Sequence, residues 1–143
     1  EPGAFNIVPA QVRMALEFRH GDAVILEAMQ TSLFTMIDHV AAGYGLSVTI
    51  EAAGLVPPAP MAESMVKLIE QAATRSHLTH TRLMSFAGHD AQSLAGVTPS
   101  VMFFVPSVNG ISHNTAEYTT PEDCLRAAEV MLHAVLGLAD SAV

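Results

Sequence analysis

The chain has one cysteine, no tryptophan, and six lysines and arginines against fourteen acidic residues. A lone Cys124 cannot close an intramolecular disulfide, which suits a reducing cytoplasm. On its helical stretch it reads as a packing residue. The formal net charge of −8 argues against nucleic acid or an anionic membrane as partner. No apolar run approaches the ~20 residues that a membrane span needs. The first residues, Glu-Pro-Gly-Ala-Phe, have neither the basic region nor the apolar core of a secretory signal. Also missing are a Gly-x-Ser-x-Gly elbow, a phosphate loop and GxGxxG, so serine acyl transfer and nucleotide chemistry have no support.

What is present is apolar. Half of the 143 residues are hydrophobic and only 14% are charged. A chain of this length buries roughly two-thirds of its extended surface. Such a composition is rich for a small self-contained domain and points to surface meant to be covered.

Residues 12–18 alternate, with Val12, Met14, Leu16 and Phe18 on one face, as in a strand with one buried side. Asp22 is placed to cap a helix carrying Ile25, Ala28, Met29, Leu33, Met36, Ile37 and Val40 at helical spacing. That helix stops near Gly43-Tyr44-Gly45. Residues 46–51 alternate again, completing a βαβ unit. Three prolines within Gly54-Leu55-Val56-Pro57-Pro58-Ala59-Pro60 mark a linker. The expected domains are therefore 1–57 and 58–143. In the second, 61–75 reads as a helix, with Met65, Leu68, Ile69 and Ala72 on one side. A short strand is expected over 81–84, a short helix over 89–95, and a continuously apolar strand, VMFFV, over 101–105. Thr120-Pro121-Glu122-Asp123 opens a last helix with an N-cap, a proline at the first position and acids in the first turn. Its expected buried residues are Leu125, Ala128, Leu132, Val135, Leu136 and Ala139.

The most informative stretch is 83–113. It holds Ser85-Phe86-Ala87-Gly88-His89-Asp90-Ala91, then Phe104-Val105-Pro106-Ser107, then Gly110-Ile111-Ser112-His113, with Glu117 four residues on. Near the start stand Asn6-Ile7-Val8-Pro9 and Arg19. In order and spacing these motifs resemble the zinc-dependent amidohydrolases that include N-carbamoyl-L-amino-acid hydrolases, allantoate amidohydrolases and β-ureidopropionases. The resemblance runs from about Phe5 to Ala139. It implies the C-terminal part of a longer, metallopeptidase-like enzyme whose remaining metal ligands come from a preceding segment.

The fold class so implied is α/β: half of a ferredoxin-like lid and dimerisation domain, then the end of a catalytic domain. The implied chemistry is hydrolysis of the carbamoyl C–N bond of an N-carbamoyl amino acid or related ureido acid. The cofactor is zinc, or manganese or another divalent metal. The partners are the small substrate, the missing N-terminal part and a second copy of the chain. Alone, the chain is expected to be inactive.

The resemblance assigns His113 as a metal ligand, a role that neutral imidazole suits. His89 becomes the catalytic group facing the substrate carbonyl, able to stabilise an oxyanion. Gly88 before it allows close backbone approach, and Asp90 is placed to orient the ring or cap the helix. Arg19, assisted by Asn6, would hold the substrate carboxylate through bidentate hydrogen bonds. Glu117 reads either as a carboxylate standing behind the His113 ligand or as a simple surface acid. Two departures stand out: Phe86 replaces the usual glycine, and Glu17 the usual aspartate. His77-x-x-His80 has ligand spacing but reads as surface. Two alternatives remain open, a non-catalytic binding or dimerisation remnant and a related aminoacylase or dipeptidase.

Overall fold

The computed structural model describes residues 5–51, 54 and 56–140. Two compact units divide the chain, Glu1–Leu55 and Val56–Val143. The opening residues Glu1 to Ala4, and Leu55 of the expected linker, lie outside the described residues.

The first unit is built on α1, Ala23–Tyr44. Asp22 caps it as expected: Oδ1 accepts from the Val24 N–H at 2.8 Å and the Ile25 N–H at 3.3 Å. Gly45 ends it in the left-handed conformation at φ +65°, and the Leu46 N–H returns to the Ala41 carbonyl at 2.9 Å. Leu26 is buried, and Gln30, Leu33, Phe34, Ile37 and Ala41 continue its stripe, half-buried. Ile25, Met29, Met36 and Val40, expected inward, are exposed. Apolar residues occupy most of the circumference of α1, so spacing alone did not select the inner face.

The second unit is organised by α2, Glu63–Arg75, packed on α4, Pro121–Asp140. Its core is made of small residues. Ala72, Ala73, Val130 and Ala134 are buried, with Leu68, Ile69 and Leu78 packed against them. The helices approach closely: a Cβ on Gly137 would stand 3.2 Å from Leu68 Cδ1. The start of α4 is the one expected, with the Asp123 N–H donating to Thr120 Oγ1 at 3.1 Å.

Beyond α2 the chain reverses in a Schellman turn. The His77 N–H bonds Thr74 O at 3.0 Å and the Leu78 N–H bonds Ala73 O at 2.9 Å, which drops Leu78 onto the core. Arg82 then ties the following segment back to α2 with two forks. Its Nη1 and Nη2 donate to the Glu63 carboxylate at 2.9 and 3.1 Å, and its Nε and Nη2 donate to Glu70 at 2.7 Å each. These hydrogen bonds hold both carboxyls below their ordinary value and push the guanidinium up. The unit is completed by α3, Asp90–Ala95, and one 3-10 turn at Val108–Gly110.

The α/β expectation is corrected. Among the described residues there is no strand, and neither the βαβ unit over 12–51 nor the strands over 81–84 and 101–105 form. The side chains meant to face inward, Val12, Met14, Leu16, Val48 and Ile50, are exposed, as are Leu83, Met84, Phe104 and Val105. A strand exists only through ladder bonds to a neighbour about 4.8 Å away. Alternation in sequence states which face would be buried, but it supplies no partner. The expected inner face of α4 is corrected as well: Leu125, Leu132, Val135 and Leu136 are exposed, and Val130 and Ala134 are buried instead. Cys124, expected to pack, is exposed.

Candidate active-site histidines and their loops

His89 sits at the N-cap of α3 with an extended backbone, φ −149° and ψ 152°. Its ring Nδ1 accepts the Ala91 N–H at 3.0 Å. An amide N–H can only donate, so Nδ1 carries no proton in this arrangement. The hydrogen of the neutral ring is then on Nε2, directed away from the helix. The segment therefore presents a donor of fixed tautomer on an exposed side chain. Asp90 opens the first turn, but the ring is oriented by the Ala91 amide rather than by this carboxylate. Gly88 faces open space, with nothing within 4 Å of where a Cβ would stand. Phe86 is 53% exposed three residues before His89.

His113 lies on a closed loop. At its neck the Val108 N–H donates to Tyr118 O at 2.8 Å and Thr119 Oγ1 donates to Pro106 O at 3.0 Å. Inside, the Gly110 N–H bonds Ser107 O at 2.9 Å, and Asn114 accepts the Ala116 N–H on its side chain and the Glu117 N–H on its carbonyl. Two non-glycine residues here take left-handed backbone, Asn109 at φ 59° and His113 at φ 53°. Few residues with a Cβ take that region, Asn and His more often than most; the His113 N–H is held by Glu117 Oε2 at 2.7 Å. No group among the described residues hydrogen-bonds the His113 ring, which is exposed.

Asn6 and Arg19 are in the first unit, both exposed, Asn6 within a turn. The Arg19 Nε is paired with the Glu17 carboxylate. The acid two residues before the arginine is thus one of its partners, in the position where the resemblance has an aspartate.

A free imidazole such as His113 fits as one donor to a metal. Among the described residues, however, no three His, Cys, Asp or Glu side chains come together around a possible ion. Catalytic zinc takes about three protein ligands. The described residues of this chain do not make a metal site by themselves.

Sequence reasoning did not find the ties that close the His113 loop, those of Val108 with Tyr118 and of Thr119 with Pro106. Asn109-Gly110 is a turn dipeptide and could have been read as one. The ties through Tyr118 and Thr119 join residues ten and thirteen apart and left no local signal. His133, read as an ordinary helix residue, is half-buried with its Nδ1 3.0 Å from Ser76 Oγ.

Residues 3–137 match the profile of peptidase family M20/M25/M40, and the chain belongs to that family. Within it, the chain is 32% identical over 139 residues to the N-carbamoyl-L-amino-acid amidohydrolase of Rhizobium meliloti, covering 97% of this chain and 33% of that protein. It is 30% identical over 134 residues to the allantoate amidohydrolase of Escherichia coli, covering 91% of this chain and 32% of that protein. Among solved structures, an amidase of the hydantoinase/carbamoylase family from Burkholderia multivorans superposes with a TM-score of 0.77 at 39% identity. That match covers 82% of this chain and 29% of that one. The chain thus spans about a third of the length of the curated relatives it matches. No helix among the described residues is long and apolar enough to cross a membrane.

Proposed function

We propose that this chain supplies part of the site of a metal-dependent amidohydrolase that cleaves the carbamoyl C–N bond of an N-carbamoyl-L-amino acid or related ureido acid. The observation that carries this reading is the His89 ring, held by the Ala91 amide as an Nε2–H donor. A donor fixed before the reaction is what a developing oxyanion requires, because no reorganisation is then needed as charge builds. Gly88 leaves open space beside it for the reacting group.

Arg19, with Asn6 in support, holds the substrate carboxylate, and the Glu17 contact keeps the guanidinium from wandering. His113 is one ligand of a divalent metal, zinc or manganese, whose other ligands come from sequence outside this chain. When bound, such a metal supplies Lewis-acid chemistry at the scissile carbonyl. Residues 1–57 belong to a lid and dimerisation domain and 58–143 to the catalytic domain of a cytoplasmic homodimer. The chain by itself is inactive.

A second reading is a binding or dimerisation module without catalysis, favoured by the lack of a three-ligand cluster among the described residues. Metal content and hydrolysis of N-carbamoyl amino acids decide between the two, measured on the 143 residues alone and on the complete polypeptide that carries them. Metal and turnover only in the complete polypeptide are expected. Stoichiometric metal with turnover from the chain alone would refute the account of missing ligands, and neither at any length would leave the binding module.

A further inference from the structure

We infer that Glu117 is a positioning residue for His113: its carboxylate, by holding the His113 backbone N–H, fixes the left-handed backbone that aims the imidazole. The inference rests on the ligand reading of His113 given above. It starts from φ 53° at His113, a sparsely populated conformation for a residue with a Cβ, which a local contact can hold. The enforcing contact is the bond from the His113 N–H to Glu117 Oε2. At 2.7 Å it is at the short end for N–H···O, as a charged acceptor makes it.

Glu117 is itself held in place. Its own N–H donates to Asn114 O at 2.9 Å, while Asn114 Oδ1 takes the Ala116 N–H at 2.9 Å. Residues 113–117 therefore close on themselves, inside a loop already tied at its neck by Val108 with Tyr118 and by Thr119 with Pro106. The bland account of an exposed glutamate is a surface ion pair. Among the described residues no lysine, arginine or histidine side chain pairs with Glu117, so its carboxylate is committed to the backbone of residue 113. Release of that bond lets residue 113 relax to negative φ, which turns its Cα–Cβ bond, and the ring with it, to another side of the loop. Glu117 acts on the ligand through the main chain, whereas the groups that usually orient a metal-binding histidine bond its second ring nitrogen.

The test uses Glu117→Ala and Glu117→Gln, with His113→Ala as the reference. Backbone chemical shifts of residue 113 in the isotopically labelled chain report the left-handed conformation without any metal. Zinc retained by the complete polypeptide against a weak chelator reports the consequence. Glu117→Ala is expected to lose the left-handed shifts and to weaken zinc retention about 10–100-fold, with the amide shifts of α2 and α4 unmoved. Glu117→Gln keeps an acceptor of the same reach, so it should keep the left-handed shifts and lose less affinity. Left-handed shifts that survive Glu117→Ala would overturn the clamp, as would shifts lost with zinc retention unchanged, or a Gln variant as poor as Ala. If His113→Ala holds zinc as tightly as the parent, the ligand reading itself falls, whatever the Glu117 variants do.

Discussion

Replacing His77 by glycine should stabilise the second unit. His77 occupies the second position past α2, just after the C-cap Ser76, at φ 57°, and the turn bonds of the His77 and Leu78 amides close around it. Its ring makes no hydrogen bond with the described residues, so nothing is lost with the side chain. An L-residue in the left-handed region costs roughly 1–2 kcal/mol. Glycine escapes that cost but brings back about 0.5–1 kcal/mol of unfolded-chain entropy. The net gain is about 0.5–1 kcal/mol. At about 4–8 °C per kcal/mol for a unit of this size, the melting temperature should rise by about 2–8 °C. Circular dichroism melts and exchange of the Leu78 amide, whose bond to Ala73 O closes the turn, would read it. His77→Ala is the control, because alanine keeps the Cβ and hence the strain, and it should move the melt little. Equal stabilisation by Ala and Gly, or none by Gly, would refute the argument from backbone conformation.

Three further outcomes follow from the same packing and electrostatics. Ala72→Leu puts four carbons' worth of side chain where 2% of the surface is free; overpacking should cost about 1–3 kcal/mol, read as a lower urea midpoint. Glu63 and Glu70 lie below their ordinary 4.5 because of Arg82. Their contribution is present above that value and is lost as pH falls through the lowered one. The difference in urea midpoint between the parent and Arg82→Ala should therefore be full near neutrality and shrink in acid; a difference independent of pH would exclude the forks as its source. In the complete polypeptide, His89→Ala should lower kcat about 10²–10³-fold with KM little changed, the mark of a group that acts only in the transition state.

α4 shows how apolar faces are chosen. Its large residues, Leu125, Leu132, Val135 and Leu136, are exposed, while α2 meets it at Val130, Ala134 and Gly137. Two helices can come close only where side chains are short, so the small stripe forms the joint. The large stripe is left as apolar surface, in line with a chain that covers a third of its relatives' length. A composition half apolar and only 14% charged had already pointed to such surface.

The candidate site was legible in part. Gly88-His89-Asp90 and Gly110-Ile111-Ser112-His113 could be singled out because motif order and spacing survive in one dimension. What each residue does locally could not be read there. Asp90 was placed either to orient the His89 ring or to cap the helix; the Ala91 amide bonds the ring, since a ring at an N-cap lies within reach of the first free N–H groups of its helix. Glu117 was open between a carboxylate behind the His113 ligand and a plain surface acid, and it bonds the His113 backbone.

By itself the sequence determined the helix ends, because caps are local chemistry: Asp22 and Gly45 bound α1, and Thr120 with Pro121 starts α4. It also determined the membership implied by its ordered motifs. Tertiary structure alone decided which stripe of each helix is buried, because that depends on the shape of a neighbour. It decided that the alternating segments carry no ladder here, because a strand is a relation between two stretches of backbone. And it decided the backbone of His113, where a carboxylate four residues away bonds the N–H of a residue in the sparsely populated left-handed region.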